Sequence, residues 1–179
     1  ATAAALSGTV TLSGGTLDVT GATVAITNPI VLGASNGTVN TSGTVTLSGG
    51  ITGTGNLTKS GTGTVTISGT NSYTGTTAIS GGTLAVNGTM TGTGAVTVSS
   101  GATLGGSGSI AGAVSIANGG FIAAGNSPGK LTLTGGLTIS AGGTLVAELN
   151  GTAAGTSYDQ IDVTGTVTIT GAKLTLSLG

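Results

Sequence analysis

Aliphatic and polar residues alternate in short runs along most of this chain. In the run Thr64-Val65-Thr66-Ile67, an extended backbone places Val65 and Ile67 on one side and the two threonines on the other. The run stops at Ser68-Gly69-Thr70-Asn71, where glycine permits the positive φ that a tight turn needs. The pattern predicts half-buried strands separated by short turns.

The same alternation predicts strands from one end of the sequence to the other. No stretch has the apolar spacing of three to four residues that marks an amphipathic helix, so the predicted fold class is all-β. The predicted strands cover residues 9–12, 16–20, 23–27, 30–32, 38–40, 44–47, 56–59, 64–68, 76–79, 83–86, 95–98, 102–104, 114–116, 121–123, 130–134, 137–139, 144–149, 160–163, 167–169 and 173–178.

Strands of this length, spaced about 8 to 12 residues apart, fit either an antiparallel sandwich or a stack of coils. The segments resemble one another, and self-similarity at a period of roughly 20 residues or more is the signature of a solenoid. We therefore predict one β-solenoid domain over residues 1–179, with two or three strands in each coil and on the order of eight coils that rise ~4.8 Å each. Residues 150–158 lack the strand pattern and are predicted to project as a loop.

One segment carries a more specific signal. It contains, in order, Gly55-Asn56-Leu57-Thr58-Lys59, Gly63-Thr64-Val65-Thr66-Ile67, Asn71-Ser72-Tyr73-Thr74-Gly75-Thr76-Thr77 and Gly81-Gly82-Thr83-Leu84. This order closely resembles the passenger-associated β-strand repeat of bacterial autotransporter proteins.

A second block is similar to the stretch that follows such repeats near the end of a passenger. It consists of Gly125-Asn126-Ser127-Pro128-Gly129, Leu131-Thr132-Leu133 and, later, Tyr158-Asp159-Gln160-Ile161-Asp162-Val163-Thr164-Gly165. The resemblance covers residues 43–179 best. It implies a right-handed parallel β-helix on a bacterial cell surface, and it implies no single activity, because passengers serve as adhesins, aggregation factors, enzyme carriers and scaffolds.

The composition excludes several classes of partner. The chain has 38 glycines, only 4% charged residues and a net charge of -1, so it lacks the basic surface that nucleic acid or an anionic membrane requires. It has no run of about 18 apolar residues, so no transmembrane helix is predicted.

Candidate catalytic chemistry is sparse. With no histidine and three lysines, the chain has no base for a Ser-His-Asp hydrolase. Asp159 and Asp162 are the acidic residues closest in sequence, and a carboxylate pair is typical of glycoside hydrolysis or of a Ca²⁺ site. Three residues apart in a strand, they point to opposite faces, so they are interpreted as solvated or turn-capping aspartates. We predict no enzyme activity, no cofactor and no metal site.

Three larger side chains invite a structural interpretation. Lys59 is expected to form at most a surface ion pair with Asp18 or Glu148, worth roughly 0 to 1 kcal/mol. Tyr73 lies in a predicted turn, where its ring either packs over a glycine-rich corner, the favoured interpretation, or serves as an exposed contact. Phe121, the largest apolar side chain, is expected to fill the core.

Outward Thr-x-Thr pairs are the feature that a flat ice-binding face would need. Such pairs begin at Thr44, Thr64, Thr132 and Thr166, and the intervals between these positions are 20, 68 and 34 residues. An aligned ladder with one constant repeat is therefore not predicted. Threonine is also the polar residue best suited to an exposed strand, which is the favoured interpretation.

The ends of the predicted rod lack caps. Soluble solenoids hide their terminal strand edges with charge, proline or a helix, whereas the first strand region has no charge or proline and the last has only Lys173. Two explanations are open: the sequence is one segment of a larger passenger whose neighbouring coils cap it, or separate chains stack end to end by strand addition. We favour the second and predict end-to-end self-association through these end strands. The candidate assembly residues are Leu6, Val10, Leu12, Leu174, Leu176 and Leu178.

Two functions remain open at this point. The first is a structural β-solenoid, secreted to the bacterial surface, that polymerises into a fibre or matrix through homo-oligomeric contacts. The second is an adhesin, a passenger fragment whose side wall or loop at residues 150–158 recognises a glycan or a host surface. A fibre subunit assembles at high concentration, whereas an adhesin of this kind remains monomeric.

Overall fold

The computed structural model describes residues 7–125, 128–153 and 156–178, and the description below concerns these residues. They form an all-β structure of short strands without a helix. In chain order, the strands are β1 (Val10–Leu12), β2 (Gly15–Val19), β3 (Thr23–Ile26), β4 (Ile30–Leu32), β5 (Gly37–Thr41), β6 (Thr44–Leu47), β7 (Ile51–Gly53), β8 (Leu57–Ser60), β9 (Thr64–Ile67), β10 (Thr70–Asn71), β11 (Thr77–Ile79), β12 (Thr83–Val86), β13 (Thr89–Met90), β14 (Val96–Val98), β15 (Thr103–Gly105), β16 (Ser109–Ile110), β17 (Val114–Ile116), β18 (Phe121–Ala123), β19 (Lys130–Leu133), β20 (Leu137–Ile139), β21 (Thr144–Glu148), β22 (Gln160–Val163), β23 (Val167–Ile169) and β24 (Lys173–Ser177).

These strands wind into a parallel β-solenoid with three strands in each coil. Each strand from β1 to β21, apart from β7, pairs in parallel with the strand three positions later, which produces three faces. Face 1 comprises β1-β4-β7 and β10-β13-β16-β19-β22, face 2 runs from β2 to β23, and face 3 runs from β3 to β24. Face 1 is divided into two sheets because β7 and β10 do not pair with each other. Faces 2 and 3 are each eight strands deep, so seven turns separate the first strand from the last, a rise of roughly 34 Å at the usual strand spacing. The solenoid prediction is confirmed, and the antiparallel sandwich is wrong.

The core is a set of aliphatic columns that run along the rod. On face 3, Val45, Val65, Leu84, Leu104 and Ile122 occupy equivalent positions in successive coils, and each is at most 1% exposed. Burial of a side chain of this size contributes about 1.5 to 3 kcal/mol relative to an exposed position. The columns therefore supply the apolar burial that holds adjacent coils together.

Four strands were not predicted from the sequence, and all of them lie on face 1. They are β7, β10, β13 and β16, each only two or three residues long. Each buries one side chain, namely Ile51, Asn71, Met90 or Ile110, among glycine and hydroxyl residues. A single inward residue shows no alternation, so the sequence pattern has nothing there to detect.

Glycine rows form the corners between faces. A Cβ at Gly75, Gly94 or Gly112 would collide with the backbone carbonyl oxygen of the glycine one coil earlier, respectively Gly55, Gly75 or Gly94. Only glycine lets neighbouring backbones approach so closely. The abundance of glycine in this chain therefore follows from the stacking of its corners.

The final turn of the solenoid is longer than the others. Thirty residues separate Leu137 from its partner Val167, whereas eighteen separate Val96 from Val114. The extra length falls between β21 and β22, where Leu149 and Tyr158 form an isolated antiparallel bridge. The loop predicted at residues 150–158 lies in this excursion, although residues 154 and 155 of it lie outside the described residues.

Candidate functional site

Lys59 is buried inside the solenoid. It alternates with Thr58 and follows Leu57 on the inner side of β8, and its side chain is 1% exposed. Its ammonium donates hydrogen bonds to the carbonyl oxygens of Ser60 at 2.7 Å and of Gly61 and Gly81 at 3.0 Å. Burial lowers the pKa of Lys59 from its ordinary value.

The surface ion pair expected for Lys59 is therefore wrong. The carboxylate of Asp18 instead accepts a hydrogen bond from the side-chain amide of Asn40 at 3.0 Å. The alternation Leu57-Thr58-Lys59 places Lys59 on the inner side of the strand, which is a signal that the sequence already carried. The surface position was expected because lysine is rarely buried, although the alternation of the strand indicates an inner one.

Tyr73 also lies inside the rod, one coil beyond Lys59. Its ring is 2% exposed, and its hydroxyl forms a 2.5 Å hydrogen bond with the hydroxyl of buried Thr77. Burial raises the pKa of Tyr73 to about 12, and the bond with Thr77 opposes part of this rise. Packing at a corner, rather than an exposed contact, is thus its role.

The amide of Asn71 links three successive coils. Its oxygen accepts a hydrogen bond from the backbone N–H of Ile51 at 3.1 Å, and its nitrogen donates to the carbonyl oxygens of Gly69 at 2.8 Å and Thr89 at 3.3 Å. Asn71 is 1% exposed. A buried amide with these partners satisfies a backbone donor that the very short β10 leaves unpaired.

Asp159 and Asp162 have separate roles. The Asp159 carboxylate accepts hydrogen bonds from the backbone N–H groups of Gly129 at 2.9 Å and Glu148 at 3.0 Å, which fastens the end of the segment that connects β21 to β22. Asp162 forms a half-exposed 2.8 Å ion pair with Lys130. The structure therefore does not bring the two carboxylates together as a catalytic pair, and Asp159 has the capping role that the sequence indicated.

Five single threonines form an aligned outward column on face 3, which the intervals between the Thr-x-Thr pairs did not predict. Register places Thr23, Thr44, Thr64, Thr83 and Thr103 opposite one another. The neighbouring column is interrupted by alanine and glycine, so paired Thr-x-Thr motifs occupy only two adjacent coils of this face.

The remaining threonine pairs lie on other faces. Thr132 belongs to β19 on face 1 and Thr168 to β23 on face 2. Phe121 occupies the threonine column in the next coil, beside Thr103. It is half-buried on the outer side of β18, whereas the next residue, Ile122, is buried on the inner side. The expectation that Phe121 fills the core is therefore wrong.

The predicted assembly residues occupy opposite ends of the rod, with different exposures. In the first coil, Val10 is half-buried and Leu12 is 6% exposed, whereas in the last strand Leu174 is 60% and Leu176 is 52% exposed. Leu178 follows β24 and is 83% exposed. Leu6 lies outside the described residues. The C-terminal coil thus presents most of the apolar surface in this set.

Neither a metal cluster nor a spanning helix is found in the described parts of the chain. Within residues 7–125, 128–153 and 156–178, no three His, Cys, Asp or Glu side chains are grouped as metal ligands would be. The same residues contain no helix of the length and apolar character needed to cross a membrane.

Fold and interior together define the class of protein: a parallel β-solenoid whose core contains hydrogen-bonded polar side chains. The segment from β8 to the end of β12, residues 57–86, matches the family model of the passenger-associated-transport-repeat. The predicted resemblance to an autotransporter passenger repeat is thereby confirmed for this segment, and the family indicates a surface or secreted location. No curated protein matches the chain.

The matched segment coincides with the buried polar groups. Lys59, Asn71, Tyr73 and Thr77 all lie between residues 57 and 86. The hydrogen bonds of Lys59 and Asn71 join adjacent coils, whereas the bond between Tyr73 and Thr77 lies within one coil. The cluster therefore ties neighbouring coils of this segment together. A passenger-repeat solenoid of this kind is consistent with a non-catalytic role.

Proposed function

We propose that this protein is a non-catalytic structural β-solenoid, exported to the bacterial surface, which assembles end to end into a fibre or matrix. The observation that carries the proposal is the open C-terminal coil. Ile139 is 1% exposed beneath its neighbour in the column, Ile169, which is 59% exposed. A complete further coil would bury Ile169 as Ile169 buries Ile139.

The open coil combines apolar surface with unpaired backbone. A groove of about 310 Å³ opens among the inner side chains of the last two coils, including Ile139, Ile161 and Ile169. The edges of β22, β23 and β24 have a strand partner on one side only. Exposed edges of this kind favour addition of further strands, and apolar surface makes the addition favourable.

The rest of the molecule supports a structural role. Its sides carry hydroxyl groups and few charges, and a net charge of -1 gives little long-range repulsion between copies. The sequence contains no histidine and the side-chain amine of Lys59 is held by three carbonyl oxygens, so two common general bases are respectively lacking and occupied. The passenger-repeat match supports export to the cell surface.

Electron microscopy and analytical ultracentrifugation of the 179-residue chain test the proposal. We expect filaments that lengthen with concentration, and we expect Leu176→Lys to abolish them, because it places a charge at the open core. Thr175→Lys adds the same charge to the outer side of the same strand and should leave assembly unchanged. Short monomeric rods in the unmodified protein would falsify end-to-end assembly.

A second candidate function is adhesion to a glycan or a host surface. The observation that favours it is the long connection between Leu149 and Tyr158, which form an antiparallel bridge and are followed by Asp159, whose carboxylate fastens the end of this connection. This function predicts a monomer that binds immobilised glycans or host matrix. Replacing the segment between Leu149 and Tyr158 by a short glycine turn should then abolish binding without changing the solenoid, as judged by circular dichroism.

A further inference from the structure

We propose that the joint between two copies is head-to-tail: β1, β2 and β3 of one copy stack on β22, β23 and β24 of the next. This inference rests on the proposed end-to-end assembly and specifies its partner as the first coil of a second copy. It predicts an open polar filament, because each added copy uses one of its ends in the joint and leaves the other end free for the next copy.

The columns of the solenoid define the register of this joint. On face 2, one inner column begins at Leu17 and ends at Ile169 without interruption through the paired strands. On face 3, the equivalent column begins at Val24 and ends at Leu174. Continuing both columns places Leu17 of the incoming copy on Ile169, and Val24 on Leu174.

The inner residues at the two ends match in chemistry. Leu17 and Val24 are half-buried aliphatic residues at the first coil, and Ile169 and Leu174 are the exposed aliphatic residues at the last. Stacking them removes apolar surface from water on both sides and pairs strand edges in the parallel sense used throughout the molecule. The joint therefore repeats an interface that the chain already makes seven times along each of faces 2 and 3.

The outer residues are compatible with the same register. The outward columns place Thr16 beside Thr168 and Thr23 beside Lys173, with no like charges opposed. A tail-to-tail contact would instead pair the strand edges in the antiparallel sense, and it would stop at a dimer.

Two end-blocked variants distinguish the two geometries. Val24→Lys places a charge in the first coil and Leu176→Lys places one in the last, and each is expected to weaken its joint by about a hundredfold or more, because the charge would be buried without a partner. Head-to-tail stacking predicts that each variant alone is monomeric and that an equimolar mixture forms a one-to-one dimer. Ala25→Lys and Thr175→Lys, the outward neighbours, are the controls and should still polymerise.

The outcomes separate this inference from the proposed function. If Val24→Lys alone forms dimers, its unblocked last coils pair with each other, so tail-to-tail contact is correct and the head-to-tail joint is overturned. If unmodified protein never assembles, the proposed function fails first. Sedimentation velocity reads both results from the same samples, and circular dichroism checks that each variant keeps its β-structure.

Cysteine cross-linking tests the register without a charge in the core. The chain has no cysteine, so Thr16→Cys and Thr168→Cys introduce one outward thiol each. In the proposed joint they lie on adjacent strands roughly 4.8 Å apart, within the range that a disulfide spans. Mixed and oxidised, they should give a covalent heterodimer, whereas Thr16→Cys with Thr175→Cys, on different faces, should not. Equal cross-linking in both mixtures, or none in either mixture of an assembling protein, would contradict the register.

Discussion

Lys59 lies directly beside Ile79 in one core column, in the register of β8 with β11, and neither side chain is more than 1% exposed. A lysine therefore occupies a position that is aliphatic in every other coil of this column. Its charge is compensated by three carbonyl oxygens, two from its own corner and one, that of Gly81, from the next coil. The side chain ties adjacent corners together while its methylene groups continue the column.

Replacing Lys59 by methionine should destabilise the fold by about 2 to 4 kcal/mol, because buried carbonyl oxygens lose charge-assisted donors while the volume of the side chain is kept. Urea unfolding followed by circular dichroism measures the change. Lys173→Met, on the exposed last strand, is the matched control and should alter stability little. A Lys59→Met protein as stable as the unmodified one would show that the carbonyl contacts contribute no net stability.

Because Tyr73 is buried, the free energy of unfolding should fall at alkaline pH. The folded-state pKa of Tyr73, about 12, exceeds the ordinary value of 10.0, so the unfolded chain loses the phenolic proton first as the pH rises. The stabilisation is complete below pH 10 and declines as the pH passes through 10 to about 12. Between about pH 9 and pH 11, the free energy of unfolding should fall by about 1 kcal/mol more in the unmodified protein than in Tyr73→Phe.

The comparison with Tyr73→Phe cancels the opposite effect of Lys59. Because burial lowers the Lys59 pKa, the unfolded chain binds the extra proton just below 10.5, and the Lys59 contribution to stability rises with pH there. Both proteins retain Lys59, so the difference between them reports Tyr73. Absorbance titration of Tyr158→Phe, in which Tyr73 is the single tyrosine, gives an independent check. A phenol that ionises near pH 10 in the folded protein contradicts its burial.

Gly94→Ala tests the close packing of the corners. A Cβ at Gly94 would meet the carbonyl oxygen of Gly75, so the two coils must separate locally, at a cost of about 1 to 3 kcal/mol. Gly15→Ala is the control, since the nearest atom to its Cβ is a leucine methyl at 3.9 Å. Thermal unfolding should show a lower midpoint for Gly94→Ala alone. Equal midpoints would mean that the corner relaxes at little cost.

Local alternation of residues was enough to locate most of the strands. Thr-Val-Thr-Ile and its variants place two aliphatic side chains on one side of a strand, which only a half-buried sheet accommodates well. The resemblance of residues 55–86 to the passenger repeat also depended on sequence order alone, and the family match at residues 57–86 confirms it. Strands with one inward residue, such as β10 and β13, show no alternation in the sequence and could not be located in this way.

What the sequence by itself determined was the β class, the coiled repeat and the absence of a histidine-based site, because these follow from side-chain period and composition. Only the tertiary structure decided that Tyr73 lies inside, that threonines from five coils align, and that Ile169 and Leu174 remain uncovered. Coils of unequal length fix which residues become neighbours, and neighbours determine burial. A strand pattern identifies the inner side of a segment, but the coil stacked above it decides whether that side meets another coil or water.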